Sequence, residues 1–117
     1  MADVPIYTYG DLKAALIQEA NREDIADKVA DFIHQAHIRI EEVVDTLERL
    51  QDDGDTNAML AYDPYIYLNG AMVAAARYLR DGDMMSFYQP EYDRRLRKLR
   101  LAPGFDKVFM APNGPVA

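Results

Sequence analysis

The feature that most restricts this chain is a double series of apolar residues between Asp24 and Gln51. Ala26, Ile33, Ile40 and Leu47 recur every seven positions, and Val29, Ala36, Val43 and Leu50 do the same, interleaved with the first set by three and four. Alternating steps of three and four place both series on one stripe of an α-helix. Arg39, Glu41, Glu42, Asp45, Glu48 and Arg49 fill the remaining faces. The pattern predicts one helix, capped by Asp24 and ~40 Å long at about 1.5 Å per residue. Its packing seam is Val29, Ile33, Ala36, Ile40, Val43, Leu47 and Leu50. A helix that is apolar on one stripe must bury that stripe against others, so the chain is expected to be all-α.

The neighbours are readable from their caps. Thr8-Tyr9-Gly10-Asp11 has an N-cap residue followed by an acid at the third helical position, ahead of Leu12, Ala15 and Leu16, and predicts a first helix over Tyr9 to Ala20. Gln51 to Asn57 is polar and contains Gly54, which reads as a loop. Asp63-Pro64 opens a third helix over Tyr65 to Arg80, thin at Gly70, Ala71, Ala74, Ala75 and Ala76 and ended by Asp81-Gly82. Asp83 caps a fourth with Met85, Tyr88, Tyr92, Leu96 and Leu99 along one side, and Pro90 predicts a kink or a split at Gln89. From Ala102 to Ala117, three prolines and two glycines surround Phe105, Val108, Phe109 and Met110, with no periodicity. The expected fold is a small bundle of about four helices with one long central helix and an extended C-terminal tail.

Chemistry is sparse. The chain has 117 residues and no cysteine, which excludes disulfides, thiolate metal sites and cysteine nucleophiles. No apolar run reaches the ~18 to 20 residues of a membrane span, and the opening MADVPIYTYG lacks a basic stretch followed by an apolar one, so a cytoplasmic protein is expected. His34, His37 and Glu41 fall at i, i+3 and i+7, but the heptad puts His34 on the solvent side and His37 on the flank of the stripe, so no metal site is expected. Glu41-Glu42 and Asp52-Asp53 are adjacent pairs that do not converge on a substrate as an acid and a base must. No phosphate loop, serine elbow or dinucleotide fingerprint is present. These observations predict neither an enzyme nor a cofactor.

Charge is more informative. The formal net charge is −7. Residues 1–63 hold fifteen acidic and five basic side chains, whereas residues 64–117 hold five acidic and eight basic. Opposite potentials on one chain can steer and register it against copies of itself. The basic cluster Arg94, Arg95, Arg97, Lys98 and Arg100 reads first as an interface to acidic protein surface, then as a solvated helix, then as a contact to DNA phosphates. The last of these gives an alternative function, a small helical DNA-binding or regulatory protein that uses its basic fourth helix.

Tyr7-Thr8-Tyr9-Gly10-Asp11-Leu12-Lys13-Ala14-Ala15 resembles the opening of the head-to-tail adaptor (connector) proteins of tailed bacteriophages, whose first helix begins with a threonine-tyrosine-x-aspartate-leucine run. Tyr65-Ile66-Tyr67-Leu68-Asn69-Gly70-Ala71 and the residues on to Leu79, then Asp81 to Asp83 and a helix with Phe87, Tyr88 and Tyr92, are similar to that family's small-residue helix and its following aromatic helix. The resemblance spans roughly residues 7–100. Two departures stand out: about a dozen residues replace a β-rich insertion common after the long helix, and Pro90 falls where relatives run an unbroken helix.

The resemblance implies a virion structural protein with no membrane association, assembled in the host cytoplasm and placed at the head-tail neck. It implies a homo-oligomeric ring, a dodecamer, beneath the portal protein, extending the channel for double-stranded DNA that passes without sequence recognition, and seating a tail or second adaptor (stopper) protein. On this reading residues 1–101 are the helical adaptor domain and 102–117 a docking tail, with Phe105, Val108, Phe109 and Met110 on the portal or a neighbour. Arg94, Arg95, Arg97, Lys98 and Arg100 supply inter-subunit or channel charge.

Overall fold

A computed structural model describes residues 5–44 and 47–101 of the chain. Among the described residues five helices follow one another: α1 (Tyr9–Ala20), α2 (Val29–Glu41), α3 (Ala58–Tyr62), α4 (Pro64–Leu79) and α5 (Gly82–Leu101). The described residues contain no strand, and the fold is the all-α bundle that the apolar stripe predicts. Helix α4 is its centre, packing against α1, α2, α3 and α5. Ile66, Tyr67, Leu68 and the run Gly70 to Ala76 are all buried, so small residues let four neighbours approach one helix closely.

The first helix starts where its cap residues put it. Thr8 Oγ1 accepts from Asp11 N, and the Asp11 carboxylate accepts from the backbone N–H groups of Tyr7 and Thr8. Those two bonds hold the Asp11 carboxyl below the usual aspartate range. The loop after α2 serves the same helix end, since Tyr9 N donates to Asp55 O and Gly10 N to Asp53 O, both at 2.8 Å. First-turn N–H groups that have no partner inside a helix are thereby satisfied.

The second helix is shorter than the heptad predicts. It ends at Glu41, and Glu42 N and Val43 N then close three-residue turns onto Arg39 O and Ile40 O. The run Val43-Val44-Asp45-Thr46 that follows is poor in helix formers, which explains the stop. Leu47 is still buried and Leu50 partly so, because the chain turns back over the core in non-helical form. The seam is therefore helical only at Val29, Ile33, Ala36 and Ile40; Val43 is partly buried beyond the helix end. At the other end Asp24 does not cap α2 but pairs with Arg22 at 2.6 Å, and Ile25 is buried where Ala26 had been placed.

Two caps also differ from expectation. Asp63 precedes Pro64 but makes no side-chain cap bond; its carboxylate turns to Arg95. Asp81, not Asp83, caps α5, with Oδ1 accepting from Met84 N at 3.0 Å. Helix α5 runs unbroken through Pro90, so neither a split nor a helix end occurs at Gln89. It stays docked through Tyr92, Leu96 and Leu99, all buried, and through Tyr88, whose hydroxyl donates to Glu19 of α1 at 2.6 Å.

Candidate functional site

The basic cluster on α5 separates into two groups. Arg94 donates to Glu91 at 2.6 and 3.1 Å. Arg95 is half-buried and bridges elements, with Nη1 at 2.8 and 3.0 Å from the two oxygens of Asp63 and Nε at 2.8 Å from Glu91. Its guanidinium also lies over the Tyr65 ring, 5.8 Å from the centroid. Arg94 and Arg95 are thus neutralised inside the chain, and Arg95 ties the start of α4 to α5. Glu91, between both arginines, is held below the usual glutamate range, chiefly by the Arg94 bond.

Arg97, Lys98 and Arg100 are exposed and form no ion pair among the described residues. They face two different clefts. Lys98 borders one of about 350 Å³ with Met59, Tyr62, Ile66 and Leu99. Arg97 and Arg100 border another of about 280 Å³ whose remaining lining is Arg39 from α2, Asp93 and Leu96. Sequence reasoning missed Arg39, which sits more than fifty positions away on a helix face that the heptad left to solvent; no local signal marks it. The tail residues Phe105, Val108, Phe109 and Met110 lie outside the described residues.

Of the two histidines, His34 is partly exposed on α2, whereas His37 is placed otherwise than the heptad predicts. His37 is 3% exposed, within the core and not on the flank of the stripe, because α2 is covered on more than one side. Its Nδ1 lies 2.9 Å from the Tyr67 hydroxyl. Asn57 Nδ2 donates to that same hydroxyl at 3.0 Å and to Glu48 O at 2.7 Å, while Asn57 Oδ1 caps α3 by accepting from Leu60 N. A proton on Nδ1 would leave the Tyr67 O–H with no acceptor among the described residues and set the Nε2 lone pair 3.3 Å from the Glu41 carboxylate, so in the neutral ring the O–H donates to Nδ1 and the proton is on Nε2. Nε2 sits 3.3 Å from Glu41 Oε2 but is out of line for a hydrogen bond. No group of three or more His, Asp or Glu side chains among the described residues is placed to hold a metal ion.

This network sets a pH dependence. Burial pushes the His37 pKa below the ordinary 6.5, outweighing the opposing pull of Glu41. The unfolded chain therefore binds the proton more readily, so the contribution of His37 is complete above pH 6.5 and is lost as pH falls from there through the lowered folded value. Chemical denaturation between pH 7 and 5 should show falling stability, with a shallower slope in His37→Gln. Equal slopes for the two proteins would remove His37 as the cause.

On the described surface of α5, exposed basic side chains border two clefts. Compared with family models, curated proteins and solved structures, the chain matches none of them.

Proposed function

We propose that this protein is a structural head-to-tail adaptor of a tailed bacteriophage, a subunit that assembles as a ring beneath the portal, lengthens the DNA channel and seats tail components. The observation that carries the reading is where the three resembling runs fall. Residues 7–15 form the doubly capped start of α1, residues 65–79 form the central small-residue helix, and Tyr88 and Tyr92 fasten α5 to α1 and α2. Of the residues that carry the resemblance, Leu12, Tyr67, Leu68, Gly70, Ala71 and Tyr92 are buried between helices, as a shared scaffold requires, while Tyr7, Tyr78 and Phe87 are exposed. In this reading the tail with Phe105, Val108, Phe109 and Met110 reaches the portal or a neighbour.

The DNA-binding alternative loses ground, because two of its five basic residues are engaged by Glu91 and Asp63. Negative-stain images of the full chain, alone and mixed with its portal, test the proposal. A cyclic oligomer with a central hole is expected, on its own or seated on the portal. A monomer or dimer that ignores the portal would end the adaptor reading.

A further inference from the structure

The cleft between the end of α2 and the last turns of α5 concentrates like charge. Arg39, Arg97 and Arg100 surround about 280 Å³ above buried Leu96. The opposing charges are few. Asp93 Oδ1 is engaged by Gln89 Nε2 at 3.0 Å, and Glu42 reaches Arg39 only at 3.7 Å, with both side chains more than half exposed. An exposed pair of that kind contributes little and is readily exchanged. Three guanidinium groups around one cavity repel one another, and an incoming anion relieves them. Their planar forks suit carboxylates, which they bind through paired hydrogen bonds.

A matching anion stands on the same chain. In the turn Gln51–Asp55, Asp55 N donates to Asp52 O at 2.8 Å, and the Asp55 carboxylate accepts from the N–H groups of Gln51 and Asp52 at 2.9 and 2.8 Å. The Asp53 and Asp55 carbonyls are fastened to the start of α1, and Asp53 pairs with Lys13 at 2.7 Å. The Asp52 carboxylate is exposed and has no partner among the described residues. The turn is therefore already in shape, and docking it orders little that is not ordered beforehand.

We propose that the Arg39–Arg97–Arg100 cleft receives the acidic turn Gln51–Asp55 of a second copy of this chain, led by Asp52. The inference rests on the self-assembling reading above and gives it a contact. Donor and acceptor are different surfaces, so the contact is head to tail, closing into a ring if the rotation per copy allows and running on as a filament if it does not. A nucleic-acid backbone fits less well. Three arginines neutralise few phosphates, and the −7 net charge opposes a polyanion.

Charge reversal followed by sedimentation velocity of the full chain at low salt, with and without portal, tests this. Arg97→Glu/Arg100→Glu and, separately, Asp52→Lys should each weaken self-association by about tenfold or more. Mixing the two variants should restore it, since the intact turn of one meets the intact cleft of the other and, at the alternate contacts, the charge-reversed turn meets the charge-reversed cleft. Lys98→Glu, bordering the other cleft, should leave assembly unchanged. All four positions are exposed, and circular dichroism verifies that each variant folds. If the wild type assembles and the reversed variants assemble equally well, the proposal fails while the adaptor reading survives. If the wild type stays monomeric even with portal, both fail. An equal effect of Lys98→Glu, or tight duplex-DNA binding lost in Arg97→Glu/Arg100→Glu with self-association intact, overturns the proposal in favour of diffuse charge or a phosphate site.

Discussion

Gly70→Ala should destabilise the protein by about 2 kcal/mol, even though alanine is the better helix former by ~1 kcal/mol. A Cβ built at Gly70 would lie 2.7 Å from Cε1 and Cζ of Tyr92 and 2.8 Å from the Cβ of Ala36. Neither wall can withdraw cheaply. Tyr92 is buried and its hydroxyl donates to Ala36 O at 3.2 Å, while Ala36 is fixed by the backbone of α2. Overpacking of this kind costs about 1 to 3 kcal/mol, and a clash on two sides belongs at the upper end, leaving about 2 kcal/mol after the propensity gain. Urea denaturation measures it directly. Gly82→Ala, where an added Cβ meets nothing within 4 Å, is the control. If Gly70→Ala melts with the wild type, the crossing of α2, α4 and α5 is looser than described.

The second large effect is expected at Tyr67, which is completely buried in α4. Tyr67→Phe keeps the ring and removes one oxygen, yet that oxygen serves both the Asn57 amide and His37 Nδ1. One buried N–H then lacks an acceptor and one buried ring nitrogen lacks a donor, at about 1 to 3 kcal/mol for each orphaned group. A loss of about 3 kcal/mol in ΔG of unfolding follows. Burial raises the tyrosine's own pKa far above the ordinary 10.0, so the effect should persist unchanged through neutral and mildly alkaline pH. In His37→Phe, the further change Tyr67→Phe should cost less than it does alone, because one orphan has already gone. A Tyr67→Phe protein within about 0.5 kcal/mol of wild type, the range of ordinary surface changes, would show that the hydroxyl links nothing.

Local cap signals hold at one helix start only: Thr8 and Asp11 place the start of α1. Pro64 marks the first residue of α4, but Asp63 makes no cap bond there, Asp24 does not cap α2, and α5 is capped by Asp81 and not by Asp83. Long-range pairing was invisible. The seven-residue repeat continued through Leu47 and Leu50 because those residues are still at least partly buried, and burial alone does not distinguish a helix from an extended segment that lies on the core. In the sequence Asn57 reads as part of the loop although it caps α3, since five residues are too few to show a period. Pro90 removes one backbone donor, but tertiary contacts at Tyr88 and Tyr92 hold the helix on either side of it. At the candidate site, Arg97 and Arg100 were legible as charge, whereas Arg39 beside them, and the withdrawal of Arg94 and Arg95 into internal pairs, depend on which helices meet.

The central position of α4 also dictates an order of assembly. Only Arg80 and Asp81 separate α4 from α5, with Arg80 taking a left-handed turn at φ 55°, so closing that hairpin sacrifices little chain entropy. Helix α1 reaches α4 only after more than forty intervening residues have been drawn in, and the loop that caps its first turn must already be folded. Contacts between sequence neighbours form early and distant ones late. The α4–α5 hairpin is therefore expected to form first, and α1, with the acidic turn that clasps it, to dock last and to open first.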